Sequence, residues 1–357
     1  MKTVTFHYGS SSAGGFGRAA QERAIGRWLL MVAALVFLMV VVGGITRLTE
    51  SGLSMVDWHP VKGILPPLSQ AQWEEAFKAY QQYPEYKIMN RGMTLAEFKN
   101  IFWWEYLHRL LGRLIGFAFA LPLAWFWLRG RIPSGYKGRL LGLLVLGGAQ
   151  GLLGWFMVKS GLVDHPEVSH YRLTAHLTLA FIIFAALFWT AMNLLSHRRP
   201  IRDKAMNRSG KWLLALVFLQ VIMGGLVAGL KAGYTYNTWP MMDGRFVPAS
   251  IMDMAPFWRN FIDNTALVQF DHRLGAYVLF ALSLSLLVRT ILRREPGRAQ
   301  AMAALVFGVL CVQITVGILT LLHMVPVALG AIHQGGALVV LAAVLAFLHI
   351  YRKSDRP

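Results

Sequence analysis

Eight long apolar stretches dominate this chain. Each is close to or above the roughly 20 residues that a helix needs to cross the ~30 Å hydrocarbon core of a bilayer. They fall at 27–47, 101–128, 138–159, 170–195, 210–231, 266–291, 299–322 and 327–350. An even number of crossings returns the chain to the side it left. Only 15% of the 357 residues are charged, against roughly 25% in a soluble domain. The expected fold is therefore an all-α integral membrane protein of eight transmembrane helices, with membrane lipid as its solvent.

The formal net charge of +18 invites a nucleic-acid reading. Its distribution argues against one. Basic residues gather in the N-terminal tail (Arg18, Arg23, Arg27) and in the short loops after the second, fourth and sixth stretches. Those loops carry Arg129, Arg131, Arg198, Arg199, Arg202, Arg293, Arg294 and Arg298, and the C-terminus carries Arg352, Lys353 and Arg356. All lie on one side of an eight-span chain. On the other side Glu74, Glu75, Glu85, Asp243, Asp253 and Asp263 offset the cations. This positive-inside pattern places both termini in the cytoplasm of a bacterial inner membrane, or in the equivalent compartment of a mitochondrial inner membrane. It needs no nucleic acid. The first stretch is too long for a signal-peptide core and is read as a retained span. Cys311, the single cysteine, excludes a disulfide within the chain and reads as a small buried apolar residue.

The stretches form two sets of four. Glu105-Tyr-Leu-His108-Arg109 in the second has its echo in Gln269-Phe-Asp-His272-Arg273 in the sixth. Gln150 to Gly154 in the third matches Gln313 to Gly317 in the seventh. Gly43-Gly44 matches Gly224-Gly225, and His176 matches His333. Same order and near-constant offset imply a parallel tandem repeat: two pseudo-symmetric four-helix bundles related by an axis along the membrane normal. The expected organisation is a tail (1–26), an N-terminal half (27–195) with outer loop 48–100, a linker (196–210), and a C-terminal half (211–351) with outer loop 232–265. Within the first loop, residues 69–83 predict an amphipathic helix that starts at Ser69 and shows Trp73, Phe77 and Tyr80 on one face.

An ionisable side chain inside a span usually marks a site. His7, His59, His165, His170 and His197 fall in tails or loops, and His323 and His349 at helix ends. His108, His176, His272 and His333 remain. Each is expected about seven residues past its helix start, or ~10 Å below the outer surface. Four imidazoles at one depth make two pairs. Inter-helix hydrogen bonding would explain a single histidine, but two equivalent pairs between apolar helices suit haem iron, which needs only axial ligands. Zinc would want three or four protein ligands. Gly112, Gly116, Gly275, Gly335 and Gly336 would let a flat ring approach the backbone, or serve helix packing alone. Arg109 and Arg273, with Arg113 and Arg172 as weaker candidates, are read as partners for haem propionates. Snorkelling is the plainer alternative.

The halves differ at one position. Glu105 lies one turn from His108, where the other half has neutral Gln269. The carboxylate is placed to move protons or bind an oxygen intermediate, or simply to pair with Arg109 or Arg172. The difference suggests chemistry in the N-terminal half and a permanent redox haem in the other.

Residues 25–350 resemble the haem A synthases. The stretches that carry the resemblance are Gly43 to Ser54, Asp57 to Pro67, Glu105 to Arg109, Asn237 to Asp243 and Asp271 to Arg273. The resemblance implies haem O as substrate, its C8 methyl oxidised in two steps to the formyl of haem A for cytochrome oxidase. It implies that His108 and His176 hold the substrate haem and that His272 and His333 ligate haem b. Glu105 would be the catalytic carboxylate. Haem O synthase and an electron donor are implied partners, with self-association a tendency of the family. Some relatives carry a cysteine pair in the first outer loop. This chain has none, so it is similar to the proteobacterial and mitochondrial type, and a mechanism needing a loop disulfide is excluded. A di-haem b-type electron-transfer cytochrome and a haem exporter or chaperone are the rival readings.

Overall fold

The computed structural model describes residues 11–56, 64–161, 167–196 and 198–352. His7, His59, His165, His197 and most of the Asp57 to Pro67 stretch lie outside them. The described residues form α1 (Ser11–Leu48), α2 (Gln70–Tyr80), α3 (Pro84–Ile88), α4 (Leu95–Leu128), α5 (Lys137–Gly161) and α6 (His170–Leu195). They continue with α7 (Lys204–Gly229), α8 (Asn260–Asp263), α9 (Thr265–Leu292), α10 (Gly297–Leu322) and α11 (Val327–Ile350). Eight of these, α1, α4, α5, α6, α7, α9, α10 and α11, are long and apolar enough to cross a membrane.

Helix ends follow local chemistry. Thr94 and Glu97 form a capping box that starts α4 at Leu95, about two turns before the apolar stretch begins. Asp203 accepts from the N–H groups of Ala205 and Met206, so α7 starts at Lys204 and the inter-helix connection is shorter than the 196–210 linker suggested. The extra turns of α4 also correct the depth argument. His176, His272 and His333 lie six or seven residues past their helix starts, but His108 lies 13 past its own.

Those extra turns carry a cap. The helix expected from Ser69 is α2, opened by a capping box between Ser69 and Gln72. It lays Trp73, Phe77 and Tyr80 against Phe98, Phe102 and Tyr106 of α4. Glu85 of α3 is buried beneath the cap, where the Tyr80 hydroxyl donates to it at 3.0 Å. Asn90 donates to the same hydroxyl. Burial pushes the Glu85 carboxyl up to about 8 against the opposing Tyr80 bond, and the Glu105 and Glu50 charges add to the rise. A carboxyl raised from 4.5 stabilises the folded cap fully below pH 4.5, and that contribution is lost as pH rises through about 8. Hydrogen-exchange protection of α2 and α3, corrected for intrinsic rate, should therefore fall across this window. Glu85→Gln should flatten the dependence, and equal slopes in both proteins would refute the assignment.

Each set of four spans closes in the same cyclic order. α1 touches α4 and α6, α4 touches α5, and α5 touches α6. Likewise α7 touches α9 and α11, α9 touches α10, and α10 touches α11. The two sets meet along α1–α11, α6–α7 and α6–α11. The apolar core follows this seam through Val32, Phe181, Leu194, Leu213, Leu341 and Val344. α5 turns Leu141, Val145, Leu152 and Phe156 outward, the surface that lipid would cover. Small residues let the helices approach: a methyl on Gly26 would meet Leu195, and one on Gly210 would meet Leu348.

Polar contacts cross the seam at both ends. At one end Ile201 N–H of the linker donates to Ile350 O, Arg298 donates to Arg199 O of the linker, and His349 of α11 lies 3.0 Å from Asn193 of α6. At the other, Lys231 pairs with Glu50 and Glu167, and Arg47 donates to Ala228 O. Two histidines do more than sit at an interface or in a loop. His170 opens α6 and meets Asp263 at 3.0 Å, with Tyr171 and Arg259 on the same carboxylate. His349 is buried between Asn193 and Arg352.

Candidate functional site

His108 (α4), His176 (α6), His272 (α9) and His333 (α11) all meet glycines on the preceding span. A methyl on Gly43 would lie 2.9 Å from His108 Cε1, and one on Gly154 2.9 Å from His176 Cε1. The figures are 3.1 Å for Gly224 with His272 and 2.7 Å for Gly317 with His333. Any larger residue would occupy the seat of the ring. These are not the glycines singled out from sequence. Gly112 meets Met39, Gly275 meets Gln220, Gly335 meets Val41, Gly336 meets Gln313, and Gly116 meets nothing within 4 Å. The four with a neighbour pack helices rather than histidines, and Gly116 faces open space.

The structure brings the four histidines together in the expected pairs. His272 and His333 face each other with ring centroids 6.4 Å apart and planes at 77°. Two imidazoles sharing one metal, with bonds of about 2 Å and about 1.2 Å from nitrogen to ring centre, put their centroids roughly 6 Å apart. The pair therefore fits a single iron between its rings. His108 and His176 lie within electrostatic range of each other.

Above His108, Glu105 is only 3% exposed. Its Oε2 accepts from Ser54 Oγ at 2.7 Å and from the Met55 N–H at 2.7 Å, and its Oε1 pairs with Arg109 at 2.5 Å. All three are donors to its two carboxyl oxygens. Arg109 also donates to Met55 O at 2.8 Å. In the other half Gln269, equally buried, donates from Nε2 to Tyr236 O at 2.9 Å. Arg273 donates to Tyr236 O and Thr238 O. Both sites are thus roofed by an outer loop pinned from below. Glutamate meets a loop N–H where glutamine meets a loop C=O, so the difference between halves is built into the backbone it faces.

Three of the four arginines expected at propionates have other partners, while Arg113 Nη1 is buried with none among the described residues. Arg109 serves Glu105 and the loop, and Arg273 serves loop carbonyls, though its buried Nε has no partner. Arg172 stacks on Phe156 with its guanidinium carbon 3.9 Å from the ring centre. Sequence reasoning missed Ser54 and Met55, because only the folded loop brings them over α4. It named Gln150 and Gln313 only as marks of the repeat, and it missed Gln220. Gln220 donates to His272 O at 2.9 Å, Gln313 to His333 O at 2.8 Å and Gln150 to His176 O at 3.1 Å. The recurring Gln-x-x-x-Gly spacing, present at 150, 220 and 313, was the signal that pointed to them.

The geometry describes a polytopic helical membrane protein with two histidine pairs between its spans, one of them beneath a buried carboxylate. The chain belongs to the cytochrome oxidase assembly protein family, whose model matches residues 26–345. It is 49% identical over 326 residues to the heme A synthase of Mesorhizobium japonicum, covering 91% of this chain and 90% of the relative. It is 49% identical over 338 residues to that of Nitrosospira multiformis, covering 94% and 95%. The Brucella ovis heme A synthase is 46% identical over 345 residues, 96% of each chain.

Proposed function

We propose that this chain carries out the reaction its relatives are named for, making haem A by oxidising the C8 methyl of haem O to a formyl group. The observation that supports this most is the asymmetry between two otherwise matching histidine pairs. In this reading the N-terminal half (27–195) binds the substrate haem between His108 and His176. The C-terminal half (211–351) holds haem b between His272 and His333. Bound haem supplies the iron for redox chemistry. The protein would seat the haem between the histidine rings and hold Glu105 one turn from His108 on α4. Glu105, held by Ser54, Met55 and Arg109, would accept a proton from the substrate or stabilise positive charge that develops on it. Arg273, with an unused buried Nε, Arg109 and Arg172 are the propionate partners of this reading.

The two halves are a parallel tandem repeat, as their shared order of neighbours suggests. Both termini lie in the cytoplasm of a bacterial inner membrane, following the basic loops. A haem O synthase would deliver substrate, a membrane electron donor would serve haem b, and copies of the chain would associate with one another.

The test is to purify the chain from cells that make haem O and to analyse the extracted haems. Haem A in the wild-type preparation is the expected result, and unmodified haem alone would refute the reading. The glycine seats give a second measurement. Gly317→Val should displace the His333 ring and lower haem b retention about tenfold or more, read from the absorbance of the purified protein. Full retention would show that the seat is not needed.

A further inference from the structure

The repeat lets each half serve as a control for the other. With His108 laid on His272 and Gln150 on Gln313, residue 116 matches 280, and residues 144, 147, 148 and 151 match 307, 310, 311 and 314. In the C-terminal half these side chains wall the bundle. Phe280 of α9 meets Phe307 of α10 with ring centroids 5.4 Å apart, Leu310 is buried, and Ile314 packs against the apolar core. The N-terminal half has Gly116, Leu144, Gly147, Gly148 and Gly151 in the same places. A methyl on any of these four glycines would meet nothing within 4 Å, and Leu144 is exposed. Along α5, Leu140 and Leu143 are buried and no described residue beyond them is. Accordingly α4 and α5 meet sparsely where α9 and α10 pack closely. The gap leads to the first histidine pair. Gly151 lies three residues from Gly154, the seat of His176, and Gly116 lies about two turns along α4 from His108. Arg113 is three residues from Gly116 and so on the same helix face. Its Nη1 is buried with no partner among the described residues, and Tyr277 stands at the matching place. An unpaired guanidinium within a span calls for an anion, and a haem brings two propionates.

We infer that the gap between α4 and α5 is a side entrance from the bilayer, by which a lipid-dissolved haem reaches His108 and His176 and its product leaves. This rests on the haem reading above and deepens it by giving the substrate its route. A substrate must come and go, whereas a permanent haem must stay. One backbone plan meets both needs: glycines leave the wall open in the first half, and phenylalanine, leucine and isoleucine close it in the second. Haem is a flat macrocycle, apolar except for its propionates, so it partitions into lipid and passes between two helices edge-on.

The test uses the full chain with haem b bound, in vesicles, mixed with donor vesicles that carry haem O. The haem O content of the repurified protein, followed over time, gives the uptake rate. Gly116→Phe with Leu144→Phe transplants the aromatic pair of the second half. It should slow uptake about tenfold or more and leave haem b in place. In the other direction, Phe280→Gly with Phe307→Leu should speed haem b loss to haem-free vesicles about tenfold or more. Wild-type uptake in the first variant would overturn the proposal, and so would wild-type haem b loss in the second. Should the first variant lose haem b and so prove misfolded, Gly147→Leu, which restores only the residue found at 310, decides by the same uptake measurement. A gap occupied by a second copy of the chain predicts a changed particle mass with uptake unaffected, which also overturns the proposal. If His108→Ala with His176→Ala takes up haem O to the wild-type extent, the haem reading itself fails, and that outcome is separate from these.

Discussion

Glu105→Gln is expected to keep both haems and to lose haem A formation by roughly 100-fold or more, the scale on which a positioned acid–base group acts. The carboxylate is buried, ion-paired to Arg109 at 2.5 Å and hydrogen-bonded to Ser54 and Met55. The amide fills the same volume but removes the charge. The fold should tolerate it, since the amide oxygen can still accept from Ser54 Oγ and the Met55 N–H. Extracted-haem analysis and the absorbance spectrum must be read together. Unmodified haem O with intact spectra locates the defect in the reaction. Unchanged haem A output would remove Glu105 from the chemistry and leave it as a clasp for the outer loop. Collapse of both spectra would show instead that the clasp is what the pair with Arg109 provides.

On the proposed reading His272→Ala should remove most of the haem b, because it takes away one of the two histidines that would hold it and leaves a cavity where the ring packed on Gly224. His333→Ala should do the same from α11. Both variants should retain helix content by circular dichroism, since the seam between halves is made by α1, α6, α7 and α11 and does not run through either ring. A preparation of His272→Ala with full b-type absorbance would sink the C-terminal assignment.

The spans were legible because each is a long apolar run, and length with hydropathy is what a bilayer selects. The observed helix ends agree within a few residues except at α4 and α7, which capping at Thr94 and Asp203 extends, and at α1, which starts at Ser11 rather than near 27. The histidines and Glu105 were legible because ionisable residues are rare in such runs. Their surroundings were harder to read. Arg109 looked like an anion receptor from its place beside His108. Only the fold of the 51–56 segment shows that a carboxylate and a carbonyl of the protein already meet it. The glycines chosen from sequence were those on the histidine helices. The ones that seat the rings lie on the neighbouring helix, a relation that one-dimensional spacing does not carry.

The adjacent glycines of α1 and α7 have a mechanical meaning. Gly43 seats His108 of its own half, while Gly44 takes Gln334 of α11 across the seam. Gly224 seats His272, while Gly225 takes Thr174 of α6. Neighbouring helix positions point about 100° apart, so each pair is a fulcrum with a ring on one arm and the opposite half on the other. Rocking one bundle against the other would tilt both seats at once.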